Sequence, residues 1–226
     1  MEFVFISDTH GLHREVEKLY QFPEGDCIIH AGDVSNVGKP NELKDFIDWF
    51  SELPYKYKIF IAGNHDFGLE HQELTQELLK DKDLIYLNDS GIELNGFKIW
   101  GSPWTPLFGN WAFMKPRGGI IGTKVNLIPD DTDILITHGP PFGRFDFTKY
   151  THTSCGCEML KQKVQTVKPK IHVFGHIHED GGKLYDEAFS TTSINASLLD
   201  ENYMIKNPII CWDSDTDTFY NTNPTL

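Results

Sequence analysis

Short apolar runs and amphipathic stretches alternate along the first third of the chain. Runs rich in Val, Ile and Phe predict strands at residues 3–6, 27–31 and 59–62. Helical spacing of apolar positions predicts helices at residues 14–20, 42–53 and 70–79. Strands that alternate with helices are typical of βαβ units, so this part of the chain is predicted to be α/β.

The pattern changes after residue 79. A hairpin is predicted at residues 92–100, because two short apolar runs flank Asn95-Gly96. Further strands are predicted at residues 134–137, 171–174 and 209–212, with an amphipathic helix at residues 159–167. A pair of sheets flanked by helices accounts for this order. The one long irregular segment is 102–119, which carries Trp104, Phe108, Trp111 and Phe113.

Composition limits the class of protein. A chain of 226 residues that is 39% hydrophobic has enough apolar side chains for one core, so residues 1–226 are expected to form a single domain. The formal net charge of -13 and the lack of a basic stripe disfavour a long nucleic acid as partner. With no signal-like start and no long apolar run, a cytoplasmic protein without a membrane span is expected, and its oligomeric state has no signal in the sequence.

The four cysteines do not indicate a disulfide framework. Cys27 and Cys211 lie inside apolar runs and are predicted to be reduced core thiols. Cys155 and Cys157 form a C-x-C pair, for which a redox role or a soft-metal site stays an open alternative.

Five of the predicted strands end in the same way. An apolar run stops at a small residue, which is followed at once by Asp, Asn or His. The polar residues at these ends are Asp8, His10, Asp33, Asn64, His65, Asp66, His138, His176 and His178. In open α/β sheets, ligands bind beyond the carboxyl ends of the strands. These side chains are therefore predicted to meet in one crevice, with neighbouring glycines permitting the sharp turns.

Seven of these side chains are of types that bind metal ions in proteins. They are the carboxylates of Asp8 and Asp33, the amide of Asn64, and the imidazoles of His10, His138, His176 and His178. This number exceeds what a single tetrahedral zinc ion takes and suits two cations that share a carboxylate. Mixed oxygen and nitrogen ligands fit Mn, Fe, Zn or Co, and the absence of thiolates argues against a structural zinc site. The sequence therefore predicts a catalytic pair of divalent metal ions.

The same strand ends carry a series of motifs: DTHG from residue 8, GDVS from 32, GNHD from 63, THGPP from 137 and GHIH from 175. In this order they resemble the calcineurin-like metallophosphoesterase superfamily. GSPWTPLFGNWAF from 101 and INAS from 194 resemble its metallophosphoesterase-domain-containing brain-protein branch, whose members hydrolyse phosphodiesters including cyclic nucleotides. The resemblance covers nearly the whole chain. It implies a four-layer sandwich of two mixed β-sheets, packed face to face and flanked by helices.

The resemblance also implies a role for each site residue. Asp8, His10 and His178 would hold one cation, Asn64, His138 and His176 the other, and Asp33 would bridge them. A hydroxide shared by the cations would attack phosphorus in line, and the substrate would be a small phosphodiester or monoester, with nucleotides included. His65 would act on the leaving-group side as a catalytic residue, with Asp66 holding its tautomer.

Three further side chains are candidates for contacts with substrate: Trp104, Trp111 and Asn195. A long irregular segment inside a compact domain is more often functional than idle. Two interpretations of the indole rings stay open, a stacking wall for a flat leaving group and a roof over the hydrophobic core.

Two other functions stay open as alternatives. One is a nuclease, which the charge balance disfavours, and the other is a non-catalytic scaffold for protein binding on the same fold. A protease of the H-E-x-x-H type and a zinc deaminase are excluded, because their signatures are absent.

Overall fold

The computed structural model describes residues 1–186 and 191–224, within which the chain forms strands β1–β16 and helices α1–α5. The first strands are β1 (Glu2–Ile6), β2 (Cys27–His30), β3 (Tyr57–Phe60), β4 (Ile85–Tyr86), β5 (Ser90–Leu94), β6 (Phe97–Ser102), β7 (Thr105–Pro106) and β8 (Met114–Lys115). The others are β9 (Ile134–Thr137), β10 (Phe147–Thr148), β11 (Thr153–Ser154), β12 (Ile171–Phe174), β13 (Lys183–Asp186), β14 (Thr192–Asn195), β15 (Ile209–Asp213) and β16 (Thr218–Thr222). The helices are α1 (His13–Leu19), α2 (Pro40–Glu52), α3 (Gln72–Leu79), α4 (Gly119–Val125) and α5 (Glu158–Val167), with 3-10 turns at Phe67–Glu70 and His178–Asp180.

Two six-stranded mixed sheets organise the fold. The first has the order β16-β15-β1-β2-β3-β4, in which β1 to β4 are parallel and β15 and β16 are antiparallel additions. The second has the order β13-β14-β12-β9-β6-β5, with four parallel strands in the middle and one antiparallel strand at each edge. In each sheet the carboxyl ends of several parallel strands therefore lie at one edge.

The core consists of three apolar layers. Between the sheets, Phe5 and Ile29 of the first sheet belong to the same buried cluster as Ile136 and Val173 of the second. On the outer face of the first sheet, α2 contributes Phe46 and Phe50 to a cluster with Val4 and Phe60. On the outer face of the second, α4 and α5 contribute Ile121 and Leu160 to a cluster with Leu135. The order helix, sheet, sheet, helix is the predicted four-layer sandwich.

The strongly patterned elements were predicted correctly, to within a few residues at their ends. The predicted helix 70–79 differs at its start, because residues Phe67–Glu70 form a separate 3-10 turn before α3. The sequence pattern did not predict α4, nor did it predict the strands β4, β7, β8, β10, β11, β13, β14 and β16. Helix α4 is short, begins with glycine and has no side-chain cap, and β14 has the sequence TSIN, which carries only one apolar residue. In the described ranges, none of the helices has the length and apolar character needed to cross a membrane.

Candidate metal centre

Polar side chains from both sheets meet where the parallel strands end. Three groups of donor atoms, each with mutual distances within 4.8 Å, occur among the described residues: Asp8, His10 and His178; His10, Asp33 and His65; and Asp33, His138 and His176. The groups share His10 and Asp33, so they form one continuous centre. Residues that are far apart in the sequence therefore lie together in the structure, as the sequence pattern predicted.

The first half of the centre lies after β1 and β12. His178 Nε2 is 3.4 Å from Asp8 Oδ1 and 3.3 Å from His10 Nε2, and His10 Nε2 is 3.9 Å from Asp8 Oδ1. Asp8 is fully buried, and both of its carboxylate oxygens accept the backbone N–H of His176, at 3.1 and 3.0 Å. These contacts join the turn after β1 of one sheet to the turn after β12 of the other.

The second half lies after β3 and β9. His138 Nε2 is 3.0 Å from Asn64 Oδ1 and 3.2 Å from Asp33 Oδ2, and His176 completes the group. Asp33 Oδ2 is also 3.6 Å from His10 Nε2, while Asp33 Oδ1 accepts the backbone N–H of His65 at 2.8 Å. One oxygen of Asp33 therefore faces ligands of both halves.

Left-handed backbone conformations aim these side chains into the centre. Asp8, His10, Asp33 and His176 have φ values of 54°, 43°, 53° and 69°, in a region that non-glycine residues seldom adopt. Backbone hydrogen bonds hold the first turn in place, from Asp8 N to Gly32 O and from His10 N to Asp33 O. The first two strand ends therefore fix one another.

Two glycines at the strand ends leave room for carboxylates. A Cβ atom on Gly175 would lie 1.9 Å from Asp8 Oδ2, and one on Gly63 would lie 2.2 Å from Asp33 Oδ1. Neither glycine has a positive φ, so close approach rather than backbone freedom requires the missing side chain here. Gly32 is different, since its φ of 101° demands glycine on conformational grounds as well.

The tautomers of two histidines show whether the centre is suited to bind cations, because only an unprotonated ring nitrogen can be a metal ligand. His138 Nδ1 lies 3.0 Å from the carbonyl of Ala31, and His178 Nδ1 lies 3.1 Å from the carbonyl of Asp200. Because a carbonyl only accepts, each Nδ1 carries the proton, and each neutral ring turns the lone pair of Nε2 into the centre. For His138, that lone pair faces two oxygen acceptors, from Asp33 and Asn64. A positive charge at this place resolves the conflict: a divalent cation when metal is bound, or a second proton on the ring when it is not. The donor set therefore fits divalent metal.

The pKa shifts follow from burial and from the crowding of charges. Burial lowers the pKa of His10 to about 4 and that of His176 to about 3. Burial also opposes protonation of His138, but the nearby carboxylate of Asp33 outweighs it and raises the pKa of His138 to about 9. In turn, although burial raises the pKa of Asp33, the charge of His138 holds it well below its ordinary value. Without metal, a proton on His138 thus supplies the positive charge that the carboxylates require.

His65 lies at the border between the centre and a cavity. Its Nδ1 is 2.6 Å from the carbonyl of Asn36, its Nε2 is 4.0 Å from Asp33 Oδ2, and its ring stacks on Trp111 with centroids 4.3 Å apart. Asp66 was expected to orient this ring, and that expectation was wrong. The carbonyl of Asn36 faces the Nδ1 of His65 instead.

Asp66 joins two strand ends. Its buried carboxylate accepts the backbone N–H groups of Val34, Ser35 and Gly63 and the hydroxyl of Ser35. Burial, together with the charge of Asp33, raises the pKa of Asp66 to about 6. The residue therefore ties the turn after β2 to the turn after β3, and the hydrogen bonds of its carboxylate in the described part of the chain do not include the ring of His65.

A cavity of about 760 Å³ opens beside the centre. Among the predicted ligands, His10, Asp33, Asn64, His176 and His178 line it, and so do His65 and Trp111. Its outer walls come from the loop 106–111, the hairpin of β10 and β11, and the loop 200–204. The hairpin and Tyr203 had no recognised signal in the sequence, since β10 and β11 have two residues each and Tyr203 lies in a polar loop.

Two of the predicted substrate contacts lie elsewhere. Trp104 donates from Nε1 to Asp89 at 2.8 Å and packs against the cluster under α2, so it roofs the core. Asn195 is fully buried and donates to the carbonyl of Ile177 at 2.7 Å, which supports the segment between His176 and His178. Neither side chain is part of the cavity lining. The residue types alone, an indole and an amide, did not indicate whether these side chains line the cavity or support the residues behind it.

Cys157 and Arg117 make structural contacts near the cavity. Cys155 lines the cavity, whereas Cys157 is buried and its sulfur accepts the backbone N–H of Leu160 at the start of α5. Burial raises the pKa of Cys157, which disfavours its thiolate. Arg117 donates to the carbonyls of Cys155 and Gly156 and pairs with Glu158 at 2.8 Å.

Comparisons with known proteins agree with this geometry. Residues 1–180 match the calcineurin-like phosphoesterase family. The chain is 42% identical over 238 residues to metallophosphoesterase domain-containing protein 1 of Homo sapiens, a match that covers 95% of this chain and 71% of that protein. A UPF0046 protein of Caenorhabditis elegans is 39% identical over 218 residues, with 88% and 76% covered.

Solved structures share the fold. Phosphopantetheinyl hydrolase from Mycobacterium tuberculosis superposes with a TM-score of 0.63 at 14% identity, over 89% of this chain and 90% of that one. A novel archaeal phosphodiesterase superposes with a TM-score of 0.52 at 16% identity, over 99% of both chains. With the family match and the donor groups at the strand ends, these findings show that the chain belongs to the calcineurin-like phosphoesterase family of metal-dependent hydrolases.

Proposed function

We propose that this protein is a dinuclear metal-dependent phosphoesterase that hydrolyses small phosphodiesters or monoesters, nucleotides among them. The observation that carries the proposal is the position of Asp33. Its Oδ2 lies 3.6 Å from His10 Nε2 and 3.2 Å from His138 Nε2, so one carboxylate oxygen faces the ligands of both halves. Such an arrangement suits a pair of cations better than a single one.

Each half has its own set of ligands in this proposal. Asp8, His10 and His178 would hold one cation, Asn64, His138 and His176 would hold the other, and Asp33 would be shared. When bound, two divalent cations activate water as a nucleophile and neutralise charge on the phosphoryl oxygens. The carbonyls of Ala31 and Asp200 keep the Nε2 atoms of His138 and His178 available as ligands.

His65 is suited to proton transfer at the border of the centre. Its Nδ1 proton is held by the carbonyl of Asn36, and its ring is fixed between the edge of His10, at 4.6 Å, and the face of Trp111. Only Nε2 is free to exchange a proton with a substrate in the cavity. In the protonated ring, Nε2 would donate to the departing oxygen or to a phosphoryl oxygen.

The size and charge of the molecule support a small substrate. A cavity of about 760 Å³ lies within the range of small-molecule sites. The net charge of -13 opposes the approach of long polyanions, whereas the metal centre attracts a single phosphate locally.

The direct test is hydrolysis of bis(p-nitrophenyl) phosphate and p-nitrophenyl phosphate with Mn²⁺, Fe²⁺, Co²⁺ and Zn²⁺, with bound metal measured on the same samples. We expect metal-dependent turnover, and a loss of about 10²–10⁴-fold in kcat for His65→Ala with metal content unchanged. Exposed His71 provides the matched control, His71→Ala, which should keep full activity.

Two outcomes would contradict the proposal. One is a wild-type protein that binds metal without hydrolysing either ester, which would favour the scaffold. The other is a His65→Ala variant with wild-type turnover.

A further inference from the structure

We propose that Tyr203 is a substrate-contacting residue whose ring, together with Phe108 and Trp111, binds a planar organic group of the phosphate ester that carries no negative charge. This inference rests on the proposed function and narrows its substrate class. It concerns a residue that no motif of the sequence marks.

The position of Tyr203 is the first observation. Its ring centroid is 5.0 Å from that of His10 and 5.0 Å from that of His178, and it lines the cavity. The residue nevertheless remains 49% exposed, beside His10, which is only 2% exposed, and His178, whose side chain is 10% exposed. A large half-exposed ring against buried ligands presents apolar surface to whatever occupies the cavity.

The backbone of Tyr203 is the second observation. Its φ of 59° is rare for a bulky residue. The loop holds it there, because Asp200 Oδ1 accepts the N–H groups of Asn202 and Met204, and Tyr203 N donates to Asp200 O. That same carbonyl of Asp200 faces His178 Nδ1. A strained residue that is held so firmly is a candidate for function, and here the loop fixes the ring relative to a metal ligand.

Two more exposed rings surround the centre. Phe108, which is 58% exposed, packs against His176 with centroids 5.4 Å apart, and Trp111, which is 36% exposed, stacks on His65. Phe108 and Trp111 lie on the loop 106–111 and Tyr203 lies on the loop 200–204, and each of the three rings packs against different histidines of the site. A planar group attached to a phosphate at the metal centre would be within reach of these rings, which favour stacked or edge-on packing with another ring.

Charge decides the character of that group. The cavity is lined by two Lys or Arg side chains among the described residues, and both are paired: Lys149 with Glu201 at 2.9 Å and Arg117 with Glu158 at 2.8 Å. Glu179 and Glu201 also line the cavity and repel a second anion. The organic group is therefore one that carries no negative charge.

Binding of phosphonates, which are not hydrolysed, tests the inference without relying on turnover. Dissociation constants of phenylphosphonate, methylphosphonate and 4-carboxyphenylphosphonate would be measured by calorimetry on metal-loaded protein. We expect wild type to bind phenylphosphonate about 10-fold or more tightly than each of the other two. Tyr203→Leu should shrink the phenyl-to-methyl preference about 3- to 10-fold, whereas Tyr203→Phe should keep it.

Tyr185→Leu is the matched control, since Tyr185 is 46% exposed and lies outside the cavity. The inference is overturned if Tyr203→Leu weakens all three phosphonates equally or lowers the metal content, because Tyr203 would then only support the histidines. Ester turnover by wild type without a phenyl preference would sink this inference alone. A phenyl preference without turnover would contradict the proposed function, and of this inference only the binding of a planar group beside a phosphonate would remain.

Discussion

The interior of the strands and their carboxyl ends contrast sharply, although they are adjacent along the chain. In β1, residues 3–6 are apolar, fully buried and regular. Immediately after them, Asp8 and His10 are also buried, but they are polar and have left-handed backbones. The same change occurs after β2, where buried Ile28 and Ile29 are soon followed by Asp33.

The contrast separates stability from function. Burial of apolar area stabilises the interior without demanding exact directions. The strand ends place buried carboxylates and imidazoles together and hold at least four residues in conformations that each cost about 1–3 kcal/mol. We infer that the apolar layers offset this cost, so variants in the two regions should fail in different ways.

The largest effect on stability is expected in the interior. Phe5→Ala removes a fully buried ring between the sheets and should lower the free energy of unfolding by about 3–5 kcal/mol, measured by urea denaturation. Phe147→Ala, at a position that is 48% exposed, should change it by less than about 0.5 kcal/mol. The amount of metal bound per folded molecule should be the same in both variants as in wild type. A lower metal content in Phe5→Ala would show that the apolar interior and the metal centre do not fail independently.

A methyl group at one strand end should damage the site more than the fold. In Gly175→Ala the new Cβ would meet Asp8 Oδ2 at 1.9 Å and displace a ligand, so kcat/KM should fall about 100-fold and bound metal should decrease. Gly119→Ala is the control, because nothing lies within 4 Å of its Cβ position. Wild-type metal content in Gly175→Ala would contradict the tight packing described around Asp8.

A smaller effect, on the pH dependence of stability, is expected from a histidine between the apolar interior and the metal centre. His172 is fully buried in β12, its Nε2 is 2.8 Å from the hydroxyl of Thr137, and burial lowers its pKa to about 3. The unfolded chain takes up that proton near pH 6.5, so the unfolded state is favoured as the pH falls from there towards about 3.

The expected slope is about 1.4 kcal/mol per pH unit for this one proton. In metal-free protein, urea denaturation between pH 7 and pH 5 should therefore show a shallower loss of stability for His172→Gln than for wild type. If stability fell equally steeply with pH in both proteins, His172 would not be the source of this pH dependence.

The fold and the metal centre can both be predicted from the sequence, and the physical reason is the same for both. Strands such as Ile134–Thr137 are apolar on both faces because they lie inside a layered sheet, and the polar residue that follows each one marks where the strand leaves the core. Topology then brings these ends together. The centre is accordingly predictable from local pattern and the geometry of parallel sheets.

The cavity walls are less predictable, because long-range contacts decide them. Trp104 and Trp111 lie in the same segment, yet the first turns towards Asp89 and the core while the second stacks on His65. Tyr203 reaches the site only because its loop is anchored at Asp200 beside His178. No periodicity in the sequence encodes these choices.

The most direct test of the central claim is anomalous X-ray diffraction from crystals grown with Mn²⁺. Two anomalous peaks are predicted, one beside Asp8, His10 and His178 and one beside Asn64, His138 and His176, with a carboxylate oxygen of Asp33 within bonding distance of both. A single peak, or two peaks that do not share Asp33, would contradict the account.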